Sequence, residues 1–467
     1  QRAALLIVAV ILAIGTYFGE FYATYEYGTY SNRGKSELTQ QTDTEKNEDG
    51  LSKSYAFAYS NGIWDPITLF LPNGLGGSAD LGPGSNVADG LRTTGANEAQ
   101  VRQQLVGINS LLYWGRESPT TYYAGAIMVF LFAIGIGFAD RKYTIWLITV
   151  AILGIILSYG RNMEGLNYFL FDNLPGYNKF RSVTFTMTLP IFAIALLGML
   201  GLEKLLETKL DQPTKKKLLI ALGSTAGLAL LLAVFAGAFG FRGIADNPQW
   251  PDWLKTAITA DRKSLFRADA FRAFIFITLF ASVIYLYITE KLSKSISFTL
   301  FVILVGLDIV LIGGRFIDSN RFQSVTAQQF DQELPGDQYI RQNKALGDRV
   351  IDLGTGIFYD ARASAFNHSI NGYHGARIRR FQELLDADIQ KERQQMRQDY
   401  QSGSLDFSQY ETMNMLNARF VIANPTSPQG ITINNQANGA AWFVENVLAY
   451  FADATGADVR YVGSDSF

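Results

Sequence analysis

Two cations stand at the threshold of an apolar run in LPGYNKFRSVTFTMTLP (Leu174–Pro190): Lys179 and Arg181, just after a proline-glycine turn. An arginine can hold two phosphoryl oxygens at once through its planar fork of N–H donors, and a lysine adds a compact point charge. Anion binding is therefore one chemistry that this pair offers. The other reading is that long cationic side chains at a helix end simply reach the headgroup layer of a membrane. Two carboxylates join the candidates. Asp308 sits inside the apolar stretch Gly306-Leu307-Asp308-Ile309-Val310, where an ionisable group marks either a functional site or a hydrogen-bonded tie between helices. Glu164 follows Arg161 in Gly160-Arg161-Asn162-Met163-Glu164, as a site carboxylate or as half of an exposed ion pair worth less than ~1 kcal/mol. His368 and His374 lack the i, i+4 spacing and the neighbouring carboxylates of a zinc site. No metal ligand set and no cofactor motif is read: Pro72-Asn73-Gly74-Leu75-Gly76-Gly77 is followed by no GK[ST] and reads as a turn-rich loop. Neither a Gly-x-Ser-x-Gly elbow nor a Ser/His/Asp order is present.

The elements that would position these residues are long and apolar. Of the 467 residues, 48% are apolar, and they gather in runs. A helix needs ~20 residues at 1.5 Å rise to cross a bilayer core of ~30 Å. Seven runs approach that length: Ala3–Gly19, Tyr122–Ala139, Ile145–Tyr159, Val183–Leu202, Leu218–Phe239, Phe271–Ile288 and Ile296–Gly313. The third is short and must borrow Tyr143, Thr144 and Gly160. The chain opens on Gln1-Arg2, without an initiator methionine and already inside an apolar run. We read that run as a span, in a fragment lacking its N-terminal part, since Gly19-Glu20-Phe21 is a poor cleavage site for a signal peptide.

Orientation follows from the short loops. Asp140-Arg141-Lys142-Tyr143, the linker with Lys204, Lys209 and Lys215–Lys217, and the pair Lys291 and Lys294 are all cationic. The alternate connections, Glu20–Thr121, Arg161–Ser182 and Phe241–Arg272, are long or mixed in charge. The positive-inside rule places the first set in the cytoplasm and the second outside, so Lys179 and Arg181 are expected at the outer face, where a lipid-linked phosphate would be within reach. A net charge of −2 gives no argument for nucleic acid as a partner. The absence of cysteine excludes disulfides and thiolate-held metals.

The expected architecture is a polytopic α-helical membrane protein of about seven transmembrane helices with an extracytoplasmic α+β C-terminal domain. Residues 1–317 would form the membrane part, with a large outer loop over 20–121. Residues 318–467 would form the outer domain. There the pattern predicts helices over Asp337–Ala345 and Arg377–Gln398, and strands over Arg349–Leu353, Arg419–Ala423 and Ala441–Val447.

Several stretches resemble the bacterial YfhO-like membrane proteins: EFYATYEYGTYSNRGKSEL (Glu20–Leu38), DPITLFLPNGLGGS (Asp65–Ser78), YWGRESPTTYYAGAIMVFLFAIGI (Tyr113–Ile136), LSYGRNMEGLNYFLFDNLPGYNKFRSVTFTMTL (Leu157–Leu189), GYHGARIRRFQELLD (Gly372–Asp386) and MLNARFVIAN (Met415–Asn424). The resemblance covers nearly the whole chain in order. It implies a GT-C-like glycosyltransferase of the bacterial cytoplasmic membrane, which takes a sugar from a polyprenyl-phosphate carrier and passes it, outside the membrane, to an envelope glycan, lipid or protein. Its partners would be membrane lipid, the polyprenyl-phosphate-linked sugar and the envelope acceptor. That class places its acidic catalytic residue near the earliest spans, so no catalytic residue is assigned here, and this chain alone is expected to be inactive. The resemblance carries over Tyr177, Asn178, Lys179, Phe180 and Arg181, and marks Asp308 and Arg315 as family-like positions. In that frame Arg181, then Lys179, with Arg161 or Arg33 in reserve, would bind the phosphate, and Glu164 and Asp308 complete the candidate substrate-binding set. A lipid or glycan flippase using Asp308 as a coupling residue, and a non-catalytic envelope scaffold presenting Arg377–Arg380, are the competing readings.

Overall fold

The computed structural model describes residues 2–35, 50–77, 80–115, 121–243, 246–317, 322, 332–359, 361–442, 447–453 and 456–462. The chain separates into two compact units, Lys53–Gln323 and a second that joins Gln1–Ser52 to Ser324–Phe467. A boundary at 317 would leave the first 52 residues with the membrane helices. Their hydrogen bonds instead run to the C-terminal segment: Asn32 donates its N–H to the Arg377 carbonyl (2.7 Å), and Tyr27 its hydroxyl to that of Ala376 (2.9 Å).

Within Lys53–Gln323, five helices are long and apolar enough to cross a membrane: Arg141–Ser158, Val183–Glu207, Gln212–Ala238, Asp252–Ile288 and Lys294–Phe316. They make this a membrane-embedded helical protein. The expected count of seven is not reached among the described residues. Tyr122–Ala139 contains a helix of only 13 residues, Ala126–Phe138, ~20 Å long at 1.5 Å per residue. It starts late because Gly125, at φ 109°, breaks the backbone just before it. The first run, in the other unit, bends by 67° between Ala3–Thr16 and Phe18–Tyr30, and counts as a sixth span only if the pair is taken as one. The expected outer connection Phe241–Arg272 is also corrected. The helix that carries Phe271–Ile288 begins at Asp252 and runs for 37 residues. Its buried stripe, Ile258, Arg262, Phe266, Ala270, Ala273, Ile277, Phe280, Ile284, keeps the 3–4 spacing of one helix face straight through the polar half.

Small residues set the closest helix contact. Ala126–Phe138 packs on Thr188–Glu207 where Gly135 meets Gly201. A Cβ on Gly201 would lie 2.3 Å from the Gly135 Cα, and one on Gly135 would lie 2.3 Å from the Leu197 carbonyl oxygen. In lipid, where apolar side chains gain little by leaving their surroundings, such close backbone approach is what holds helices together.

In the other unit, three strands, β1 (Arg349–Asp352), β2 (Ala418–Ile422) and β3 (Ile431–Ile433), form a sheet in that order, β1 parallel to β2 and β2 antiparallel to β3. Both faces are covered, so the strands read as continuous apolar runs rather than alternating ones. Val350, Phe420 and Ile422 pack with Ile340 of the helix Pro335–Asn343, while Ile351 and Val421 pack with Leu385, Ile389 and Met396 of the long charged helix. That helix runs from Arg379 to Ser402 through a π-turn at Leu385–Ile389. The expected strand Ala441–Val447 lies outside the described residues over 443–446. A strand β4 begins at Val447, runs to Asp453, and pairs antiparallel with β5 (Gly456–Val462).

Candidate functional site

Two places in Lys53–Gln323 concentrate charge, and the six candidate residues divide among them and the other unit. The first place is built where Arg141–Ser158 ends and Val183–Glu207 begins. The loop between these helices is pinned to the segment 53–61: Asn61 donates its N–H to the Ser158 carbonyl (2.8 Å), Arg161 its N–H to Ser60 Oγ (3.1 Å), and Ser182 its N–H to the Ala56 carbonyl (3.1 Å). Arg161, Glu164, Lys179 and Arg181 therefore all lie at one end of these helices. Arg161 and Glu164 are exposed, Lys179 and Arg181 partly buried.

Arg181 is held by aromatic side chains. Its guanidinium donates to the Tyr55 hydroxyl and lies over the rings of Tyr55 (4.7 Å) and Tyr59 (5.4 Å). Two aromatic faces hold a cation without neutralising it. Arg181 edges a cavity of about 210 Å³ whose other walls include Phe57, Phe171, Tyr177, Phe180 and Phe185. The buried Tyr177 hydroxyl finds no hydrogen-bond partner among the described residues, and burial pushes its ionisation upward, so it stays a neutral donor. An apolar pocket with a fixed guanidinium and a spare hydroxyl can take an acyl or prenyl chain carrying an anionic head.

The second place holds Asp308, which is fully buried. Its carboxylate pairs with Arg272, accepts from the Tyr123 hydroxyl (2.7 Å), and accepts the Ile127 N–H (3.1 Å). The last contact has a clear cause. Ala126–Phe138 begins after Gly125, whose lack of a side chain leaves the first N–H groups without a local cap. Asp308 reaches across from its own helix to supply one acceptor, and the Tyr123 hydroxyl takes the Ala126 N–H (2.8 Å). Arg272 also donates to Tyr123 (2.8 Å) and lies 3.6 Å from Asp269. Asp269 in turn binds Arg315 and accepts the Asn73 N–H (2.8 Å). Asp308 and Arg315, two turns apart on one helix, thus face Arg272 and Asp269, one turn apart on its antiparallel neighbour. The arrangement ties two helices, a helix start and the Pro-Asn-Gly loop together. In that loop Gly76, at φ 76°, comes so close to the Leu112 carbonyl oxygen that a Cβ would lie 2.0 Å from it.

Arg33 belongs to the other unit, in the turn after Phe18–Tyr30, where its N–H donates to Ser31 Oγ (3.2 Å). The motif Tyr113–Ile136 is described except for 116–120.

Sequence reasoning did not single out Asp269, Arg272, Tyr123 or Arg262. Arg262, wholly buried, holds Asp246 through two hydrogen bonds of 2.7 Å and donates to the carbonyls of Phe241 (2.9 Å) and Leu111 (2.6 Å). The available signal was a cation on an apolar stripe, four residues from both Ile258 and Phe266. Burial opposes ionisation of Asp246, but the Arg262 hydrogen bonds, the Gly243 N–H and the Arg262 charge outweigh it and hold the carboxyl below its ordinary value of 3.8. A group with a depressed folded-state value contributes stability that is fully present above ~4–5 and lost as pH falls through the folded value. Asp246→Asn should therefore destabilise the protein by ~3 kcal/mol at pH 7, by leaving a buried guanidinium without its counter-charge. In urea titrations that difference should begin to narrow below about pH 4, where the unfolded carboxyl takes up a proton, and close only once the pH falls below the depressed folded value. A difference that persists unchanged at pH 3 would rule out the ionised pair as its source.

Compared with known family models, curated proteins and solved structures, the chain finds no match.

Proposed function

We propose that the protein works in a membrane glycosyltransferase of GT-C-like character, moving a sugar from a polyprenyl-phosphate carrier to a cell-envelope acceptor at the outer face of the bacterial cytoplasmic membrane. The observation that carries this reading is Arg181, held on two tyrosines at the rim of an apolar cavity at one end of the spanning helices. The cavity would take the first isoprene units and the guanidinium would take the phosphate. The charge pattern of the loops supports an outer position for that end.

In the transfer, the acceptor hydroxyl oxygen bonds to the anomeric carbon as the bond from that carbon to the phosphate oxygen breaks. The electron pair leaves with the phosphate, and the hydroxyl proton passes to a general base that this chain's residues do not identify. Charge growing on the departing phosphate is where Arg181, and after it Lys179 two residues earlier in the chain, would act. Fixed donors of this kind need no rearrangement as the bond breaks.

The test is transfer of radiolabelled sugar from a panel of polyprenyl-phosphate sugars, using full-length protein in membranes. Arg181→Ala should lower turnover by about 100-fold or more, the cost of removing a preorganised oxyanion donor, while thermal unfolding stays close to the parent. A folded Arg181→Ala protein with full transfer would defeat the assignment. A second reading, a lipid or glycan transporter, draws on the buried Asp308–Arg272 pair. It would gain if no donor sugar were consumed while polyprenyl phosphate still bound tightly.

A further inference from the structure

The unit that joins 1–52 to 324–467 has a pocket of about 370 Å³, within the ~300–1,000 Å³ usual for small-ligand sites. We propose that it binds an acidic saccharide, one carrying a carboxylate. Its walls combine two features that such a ligand requires.

The first is aromatic surface beside polar groups. Tyr373 is 72% exposed, and the Tyr27 ring meets His374 edge-on at 5.9 Å. Tyr27 is held by its hydroxyl on the Ala376 carbonyl and His374 by its Nδ1 on the same backbone, so the two rings are set before any ligand arrives. The C–H groups on one face of a pyranose are weakly positive and apolar, and they pack on the negative face of an aromatic ring.

The second is unbalanced positive charge. Arg349 and Arg377 both line the pocket, and no carboxylate does among the described residues. Arg377 stacks on Phe358 at 3.8 Å and donates to Gln382 (2.6 Å). That stacking orients its fork of donors without cancelling its charge. Arg349 is exposed, and among the described residues its guanidinium has no hydrogen-bond or ion-pair partner. A carboxylate on the sugar would satisfy it in the two-pronged manner that arginine favours. A neutral sugar would use the rings alone and leave the positive charge of both arginines uncompensated.

This inference stands apart from the transferase reading, because Arg181 lies in the other compact unit. The test is calorimetric titration of the whole protein in detergent with tetragalacturonate and, in parallel, with the neutral galactotetraose. Tetragalacturonate should bind at least tenfold more tightly, and Arg349→Ala and Tyr373→Ala should each weaken it by about tenfold, the scale of one charged hydrogen bond or one stacked ring. Arg181→Ala should leave it unchanged. Both substituted side chains are exposed, so both variants should fold, which circular dichroism checks. Equal affinity for the two tetrasaccharides, no saturable binding of tetragalacturonate, or parent-like binding by both variants would each overturn the proposal.

Discussion

Arg272→Ala should destabilise the protein by about 3–5 kcal/mol, the cost of stripping one member from a buried ion pair. Asp308 would keep the Tyr123 hydroxyl and the Ile127 N–H, both neutral donors, but its charge would have no counter-ion in a fully buried position. Ionised, it would bear the desolvation cost alone; protonated, it would lose strength as acceptor for the Ala126–Phe138 helix start. The double variant Arg272→Met/Asp308→Asn should recover at least half of the loss, since it removes both charges and keeps an acceptor near Ile127. Thermal unfolding in detergent, read by circular dichroism, checks both. A single variant as stable as the parent would show that the pair contributes nothing net. A double variant no better than the single would shift the cause to lost packing of the arginine stem.

Gly201→Val should cost about 3 kcal/mol or more, at the high end for overpacking. Even the first added carbon would lie 2.3 Å from Gly135 Cα and 2.5 Å from its nitrogen. These are backbone atoms of a facing helix, so no rotamer change relieves the clash and the helices must separate. Separation would weaken the contact that holds the 13-residue helix Ala126–Phe138, which begins on the Asp308 cap. Gly306→Ala is the matched control. It sits inside another apolar helix with nothing from a facing element within 4 Å of the added carbon, so it should not destabilise and should gain up to ~1 kcal/mol from helix propensity. If both substitutions proved equally harmless, close glycine packing would not be what joins these two helices.

The two variants also separate what each contact does. Loss of the charge pair should loosen the Asp252–Ile288 and Lys294–Phe316 hairpin, while the glycine clash should act on Ala126–Phe138 and Thr188–Glu207. Proteolysis or hydrogen exchange that opened the same segments in both cases would mean that the bundle yields as one cooperative body.

Much of the helical frame was legible in the chain. Apolar runs announce helices because burial and backbone satisfaction in lipid depend on length and composition, which are local properties. Helices therefore occur in all seven runs, and Arg141–Ser158 includes Tyr143 and Thr144, while the expected Gly160 falls outside it in the turn Gly160–Met163. The strands at Arg349 and Ala418 were legible for the same reason, as short β-branched or aromatic runs bounded by turn residues. The ends were not. Whether Tyr122–Ala139 is one long helix or a 13-residue helix with a fixed start depends on Gly125 and on a carboxylate 181 residues from the N–H it caps.

Of the candidate site, sequence alone determined the residue types: a Lys-Phe-Arg threshold, a carboxylate within an apolar run, and a chain without cysteine. Tertiary structure decided their roles. It set Arg181 on Tyr55 and Tyr59, from a segment 126 residues earlier, and it matched Asp308 with Arg272 across 36 residues and Asp269 with Asn73 across 196. The physical reason is that a charge in an apolar stripe is unfavourable until something distant pairs with it. Periodicity shows where a charge is buried, and only the packing of helices shows which partner makes that burial tolerable.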